Sequence, residues 1–506
     1  MWYKLIYNDL HIPQKEHAMG EIISHPAFDF NRSIRLEARP ERATSDAGAL
    51  LIREIMHKLK IDRWLGNHLV DFRRGDLVTH SWRELLRTKL ILLCQGWRDN
   101  DDADFLRHDP GLRLSVSDRR GDAALLPDPG ASVTSGNKTP SCPQGLASQP
   151  TLSRFVDAVA APENLPALHD SLAEAAGRRI RSANGGRRVA TLTVDVDSLP
   201  ATVHGHQPGS LYNGHYRERI YHPLIATAGE LGDLLGGKLR HGNVHTADGA
   251  EAFILRILDQ AERKICVKAH LRLDAGFPSD PLLAALEARR TRYTCRIRKN
   301  AVLDRMAQPY LKRPVGRPPR EPRIWTHELR YRAKEWSRSR RVVLVVQEKP
   351  DELFLHHFWL VTNWPVEQVD GLALLKHYRR RGLAEAHMGE LMNVLEPALS
   401  SSPRAKSHYR SQVPRTSAVP VDSFDNNEAL LLLNMLAYNI VHALRCALAY
   451  TTRQGWSLGR VRDQVLKLGG RLVLSGRRVT MILSGGGSRY WAQLLAWLQR
   501  LHPVEA

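Results

Sequence analysis

A mixed α/β fold, one large sheet flanked by helices, is what this 506-residue sequence predicts. Three observations carry the prediction. Two apolar, β-branched segments, residues 191–197 and 265–274, have strand composition and each ends on an aspartate. Around them, strand-like and helix-like periodicities alternate from residue 191 to about 298. On either side of that region the apolar residues recur at helical spacing.

The elements follow in order. Residues 1–44 read as a loose leader whose first residues are too polar for a signal peptide. Residues 45–114 read as a helical amino-terminal region, a candidate for DNA binding. There Ser45 or Asp46 can cap a helix carrying Leu50, Leu51, Ile55 and Leu59. A second helix over 81–95 has Trp82, Leu85, Leu86, Leu90 and Leu93 on one stripe, with Arg83, Arg87 and Lys89 off it. Residues 115–147, rich in Ser, Gly, Pro and Asp, predict a flexible linker, and 148–190 a helical connector. Residues 191–300 then give a strand over 191–196, two further antiparallel strands over 215–228 and 231–239 joined by Gly229-Glu230, a helix over 250–263, a strand over 265–273, a helix over 280–289 and a strand over 292–298. That order is the order of the ribonuclease H-like fold, in which the first and fourth strands lie side by side and bring two carboxylates together.

Residues 301–370 read as a basic, β-rich inserted domain: 311–341 hold eleven Lys or Arg against three Glu, and 341–347 and 358–362 have strand composition. Residues 371–450 form the second part of the core, with a helix bearing Glu385 and the most apolar stretch, 429–450. Asn434, Asn439, His442 and Arg445 interrupt that stretch, so it predicts a buried core helix rather than a membrane span. Within this part, 400–420 is a second Ser/Pro-rich linker. Residues 451–506 predict a basic carboxy-terminal helical region ending in an amphipathic helix near 490–501.

Charge narrows the partner. Lys and Arg number 73 against 53 Asp and Glu, a net charge of +20, so the chain is expected to meet a polyanion. Five scattered cysteines, Cys94, Cys142, Cys266, Cys295 and Cys446, lack the spacing of a disulfide framework or a zinc site, and a reducing cytoplasm is expected.

Candidate chemistry lies in the acidic residues. Asp195 and Asp197 alternate with valine and share one strand face; Asp274 ends the second strand before Ala275-Gly276-Phe277. Tyr378, Arg381 and Glu385, spaced i, i+3 and i+7, share one face of a helix. Two strand-borne aspartates and a late helical glutamate suit a pair of divalent cations and phosphodiester cleavage, with Mg²⁺ or Mn²⁺ preferred by oxygen ligands. Either of Asp195 and Asp197 can be the first-strand ligand. Arg381 can grip a phosphate and Tyr378 donate to it. His204-Gly205-His206 reads as a loop with catalytic-site or DNA contacts, His204 among the DNA-contact candidates, and 313–320, with Arg317 and Arg320, has the extended Arg-Pro character suited to a minor groove.

These motifs resemble the insertion-sequence transposases with a DDE active site. More narrowly, the chain resembles the insertion-sequence thirteen-eighty family within the group sharing a Tyr-x2-Arg-x3-Glu-x6-Lys signature. The residues that carry the likeness run from 95–104 and 106–110 through 148–155, 195–197 with His204-Gly205, 271–277, 361–363 and 475–479. Leu199 and Ala275 stand where the family commonly has threonine and serine, and Met392 stands at the signature's lysine. The resemblance implies a triad of Asp197 (or Asp195), Asp274 and Glu385 holding Mg²⁺, and cut-and-paste transposition. It also implies binding to terminal inverted repeats and target DNA as a homodimer assembled on double-stranded DNA, in the bacterial cytoplasm at the nucleoid and with no membrane partner. An inactive transposase-derived DNA-binding protein and a structure-specific nuclease are the alternatives.

Overall fold

Eight segments pair into a single sheet. The strands are β1 (Val189–Ser198), β2 (Leu224–Ala228), β3 (Leu234–Lys238), β4 (Cys266–Leu273), β5 (Arg292–Ile297), β6 (Arg323–Tyr331), β7 (Arg340–Glu348) and β8 (His356–Thr362). Their order across the sheet is β6-β7-β8-β5-β4-β1-β2-β3. Strand β4 is parallel to β1 and β5, and the remaining pairs are antiparallel. The first and fourth strands are thus direct neighbours. One face of the parallel centre is apolar, with Val194, Val196, Leu271, Leu273, Tyr293 and Cys295 all buried, while the other face carries Asp195, Arg272 and Thr294. The computed structural model describes residues 27–35, 42–75, 78–126, 145–203, 205–316, 320–350, 352–401, 423–476 and 478–502.

Helices α1 (Ala49–Lys58), α2 (Trp82–Gln95), α3 (Gln149–Val159), α4 (Leu165–Ala183), α5 (Ala250–Lys264), α6 (Asp280–Ala288), α7 (Gly371–Arg379), α8 (Arg381–Glu390), α9 (Ser423–Thr452) and α10 (Arg489–Gln499) divide among two large cores and one small cluster. Helices α5 and α6 make the crossovers into β4 and β5 and bury Phe253, Ile257, Leu282 and Leu286 with the sheet. Helices α1 to α4, α8, α9 and α10 contribute to a second, larger core. Helix α7 seals a small cluster of Val343, Val345, Leu360, Leu374 and Leu375 over β7 and β8. Local signals place the helix starts. Ser81 caps α2 by accepting the Glu84 amide at 3.1 Å while Glu84 accepts the Ser81 amide at 3.0 Å.

Helix α9 is the buried core helix its composition implied: 89% of its most apolar window is inside the fold. Its polar residues serve the neighbouring strand. Asn439 accepts the Leu234 amide and donates to the Leu234 carbonyl, both at 2.8 Å, and His442 Nε2 lies 2.8 Å from the Leu231 carbonyl. Those bonds satisfy backbone groups at the end of the sheet where no further strand pairs.

Four expectations change. Residues 301–370 do not form a separate inserted domain: β6, β7 and β8 extend the central sheet from the edge of β5, because β8 pairs with β5 from Thr294–Thr362 to Ile297–Trp359. The charged run 311–341 hid β6, whose exposed face carries the charge. The described first part of the 115–147 linker is packed: Asp118 takes Arg87 at 2.6 Å and Arg53 at 3.5 Å, and Gly121–Ala124 is a 3-10 turn. The carboxy-terminal region holds a hairpin, Gly470–Ser475 with Arg478–Leu483, before α10. Within the expected leader, the described residues Ala27–Phe28 pair with Asn31–Arg35. The linker at 400–420 falls almost wholly outside the described residues.

Candidate active site at the ends of two parallel strands

The register of β4 on β1 pairs Arg272 with Asp195 and Leu273 with Val196. The next step along both chains sets Asp274 level with Asp197, on backbones about 4.8 Å apart. Both carboxylates therefore leave the same edge of the sheet. Glu385 arrives from α8. Its side chain is 57% exposed, and Arg381, one turn earlier, joins it to the strand: the guanidinium donates to Glu385 Oε1 and, at 3.1 and 3.2 Å, to Asp197 Oδ2.

Asp195 is built differently. It is 1% exposed and accepts two bonds at 2.6 Å from the guanidinium of Arg272, itself fully buried. Of the two aspartates on β1, only Asp197 faces the edge shared with Asp274 and Glu385. Gly229 permits the arrangement, since a Cβ there would come within 2.9 Å of both Asp195 and Arg272.

Arg272 is the residue that sequence reading missed. Its Nη1 donates to the His377 carbonyl at 2.6 Å and approaches Glu230 at 3.3 Å; Glu230 in turn lies 3.9 Å from Arg380. That carbonyl would otherwise accept the amide four residues on. Instead the Arg380 amide turns back to it at 3.3 Å, and α7 ends before α8 begins. Tyr378 and Arg381 thus sit on two helices with a break at Arg380, a correction to the single helical face expected of Tyr378, Arg381 and Glu385. The signal was present: a lone arginine inside the apolar run Leu271-Arg272-Leu273 implies a buried acidic partner.

The electrostatics record the crowding. Burial raises Asp197, the charges of Asp274 and Glu385 add to it, and the pull of Arg381 and the Ser198 amide leaves it at about 6. Burial, with Asp274 adding, pushes the Tyr378 phenol up to about 12, so it stays a donor. Burial and the Arg272 charge take His377 down to about 4, leaving it neutral near pH 7.

Three carboxylates that repel one another, with only hard oxygen donors, suit a magnesium-like cation, and Arg381 supplies positive charge where such an ion would sit. Among the described residues no three His, Cys, Asp or Glu side chains close around one point as they stand. The guanidinium of Arg381 takes up the space between Asp197 and Glu385. The expected phosphate grip of Arg381 is therefore turned inward in this state. Tyr378 is half-buried against the Val343–Leu375 cluster. Arg320 is exposed in the basic loop before β6, while His204 and Arg317 lie outside the described residues. Met392, at the signature lysine, lies in a π-turn, Leu391–Leu395, and packs against the helical core.

Helix α8 is anchored at its far end. Glu390 pairs with Arg445 of α9 and accepts the Leu458 amide at 3.0 Å. Burial alone would raise Glu390, but hydrogen bonds from His387 and Leu458 and the Arg445 charge outweigh it and hold it at about 2. A depressed carboxyl contributes stability that is complete above the ordinary glutamate value near 4.5 and is lost as pH falls toward 2. Urea midpoints measured from pH 6 down to pH 3 will accordingly fall more steeply for the parent than for Glu390→Gln, which will start lower; parallel curves would exclude this anchor.

Comparison with known proteins bears on this geometry. Residues 27–504 match the family described as transposase DDE domain group 1. The chain belongs to that transposase family. It is therefore an enzyme class that acts on DNA in transposition and recombination. A solved synaptic complex of piggyBac transposase with hairpin DNA aligns with 83% of this transposase and 79% of its own chain at 12% identity, with a TM-score of 0.37, too distant to carry weight. No curated protein sequence matches the chain.

Proposed function

We propose that this transposase cuts the terminal inverted repeats of an insertion sequence and joins the freed 3′-hydroxyls to target DNA, with Asp197, Asp274 and Glu385 as metal ligands on a ribonuclease H-like core. The narrower kinship is with the insertion-sequence thirteen-eighty family. The work is done at the bacterial nucleoid by a homodimer assembled on DNA. The observation that carries the reading is the convergence of Asp197 and Asp274 on one sheet edge, with Glu385 tied to Asp197 through Arg381.

Bound Mg²⁺, or Mn²⁺ in its place, would activate the attacking water or 3′-hydroxyl and stabilise the leaving oxygen. The chain's own groups do the rest. A DNA phosphate draws Arg381 off the carboxylates, because the guanidinium matches phosphate as well as carboxylate in bidentate fashion. Tyr378, protonated, donates to the same backbone. The amino-terminal helices and the basic loop around Arg317 and Arg320 are the candidates for holding the repeat.

Arg381 is then a placeholder in the DNA-free protein. Without DNA, Arg381→Gln will bind Mn²⁺ roughly tenfold more tightly than the parent by calorimetry, since one competing positive charge is gone. Equal affinity would remove that role.

The decisive assay incubates the full chain with duplexes from either side of its coding sequence and Mg²⁺ or Mn²⁺. Nicks at an inverted repeat followed by strand-transfer products support transposition; nicks without joining support a structure-specific nuclease. A second reading, a DNA-binding relative that does not cut, is favoured by Met392: an apolar side chain packed into the helical core replaces the signature cation. Binding without nicking under either metal would establish it.

A further inference from the structure

Beyond the carboxylates, the same sheet edge carries a feature that the cleavage chemistry does not use. Strands β7 and β8 are joined by a short turn in which Leu353 is 79% and Phe354 77% exposed. Two adjacent large apolar side chains offered to water are costly unless something covers them. The turn is braced around them. Arg313 Nη2 donates to the carbonyls of Glu352 and Leu353, both at 2.7 Å, Lys349 pairs with Glu352 at 2.6 Å, and His356 contacts Glu352 from the other side. The apolar pair is presented by a clipped turn rather than by a loose one.

Its position follows from register. Asp274 lies one residue past Leu273, which pairs with Cys295; the next residue, Arg296, pairs with Leu360 of β8. His356 stands four residues beyond that level toward the active-site edge, so the turn lies about 20 Å from Asp274, counting about 3.3 Å per residue and about 4.8 Å per strand. The segment before β6 ends at this edge too, because Arg323 pairs with Glu348. That segment brings exposed Lys312, Arg313 and Arg320 beside the turn. Apolar tips flanked by cations, at the edge where cleavage is proposed, match the surface of a duplex that is wedged open.

We infer that Leu353 and Phe354 form a DNA wedge, inserted at a base step about six pairs from the cleaved bond at about 3.4 Å per pair, with Lys312, Arg313 and Arg320 on the flanking phosphates. The inference rests on the proposed function only in taking duplex DNA as the partner. Unstacking that step bends the duplex and carries its backbone along the sheet edge toward Asp197 and Asp274.

The test uses the full chain without metal, so it is separate from cleavage. The probe is a duplex from the DNA immediately beside the coding sequence, labelled at both ends for energy transfer and with 2-aminopurine placed at successive adenines. The parent will brighten 2-aminopurine at one step and shorten the end-to-end distance. Leu353→Ser/Phe354→Ser will abolish both signals and bind about tenfold more weakly with an unchanged melting temperature, and Phe354→Trp will retain them. Parent-like signals in the double serine variant would overturn the wedge. So would a parent that binds without brightening any position, or a DNA-free self-association that the serine variant abolishes, which would put a second copy of the chain on the turn. A parent that wedges DNA yet never nicks it with Mg²⁺ or Mn²⁺ leaves the wedge standing and removes the proposed function.

Discussion

Asp274→Asn and Glu385→Gln will each lower strand cleavage by more than about a thousandfold, on the order of 4 kcal/mol in the barrier, while binding of repeat-bearing DNA stays within a few-fold. Both changes keep the shape of the side chain and delete its charge. The expected stability effect has the opposite sign to that of a structural carboxylate. The charges of Asp274 and Glu385 help push Asp197 to about 6, so removing either charge relieves repulsion and leaves the melting temperature unchanged or raised. Stabilisation of the parent by added Mn²⁺ will shrink in both variants. Gel assays of nicked product and thermal melts with and without Mn²⁺ check all three statements. Full cleavage by either variant, or a fall of several degrees in the metal-free melt, sinks the assignment. Asp195→Asn serves as the contrast: its effect will appear first in the metal-free melt, because its partner is buried Arg272 rather than an ion.

The largest expected stability change belongs to Arg272. Replacing it with leucine strands Asp195, 1% exposed, without the two bonds that neutralise it, and frees the His377 carbonyl. Breaking a buried pair from one side costs about 3–5 kcal/mol. The double change Asp195→Leu/Arg272→Leu will recover much of that, since an apolar pair in the same place carries no desolvation penalty. Urea unfolding of the two single variants and the double variant measures the cycle. A single-variant loss below about 1 kcal/mol would show that the pair is not the clamp described here. Cleavage will separate the roles further. The double variant will fold but cut poorly, because no guanidinium then holds the break between α7 and α8 that sets Arg381 and Glu385.

The boundaries of β1, β4 and β5 and of α5 and α6 were legible because their periodicities are local: alternation with β-branched residues in the strands, and Phe253, Ile254, Ile257 and Leu258 at helical spacing in α5. Strand β6 was not. It mixes exposed Arg323, Glu328 and Arg330 with half-buried Ile324, Trp325, Thr326 and Leu329 at the outer edge of the sheet, and a charged run looks the same whether or not a neighbour pairs with it. The hairpin at Gly470–Leu483 was missed although Ser475-Gly476 marks its turn, because the surrounding arginines drew the reading toward a basic helical tail.

By itself the sequence determined the chemistry on offer: acidic residues at the ends of apolar strands, a glutamate one turn after an arginine, and a large positive charge. Residue type and short-range spacing suffice for that. Only the tertiary structure decided how those residues are shared out. Asp195 and Asp197 are chemically alike and two positions apart. The difference is that Arg272, seventy-seven residues later in the chain, lies beside one of them in the parallel register. Strand pairing across that distance is set by packing of the whole sheet, and no local pattern encodes which carboxylate is buried against a guanidinium and which is left at the edge.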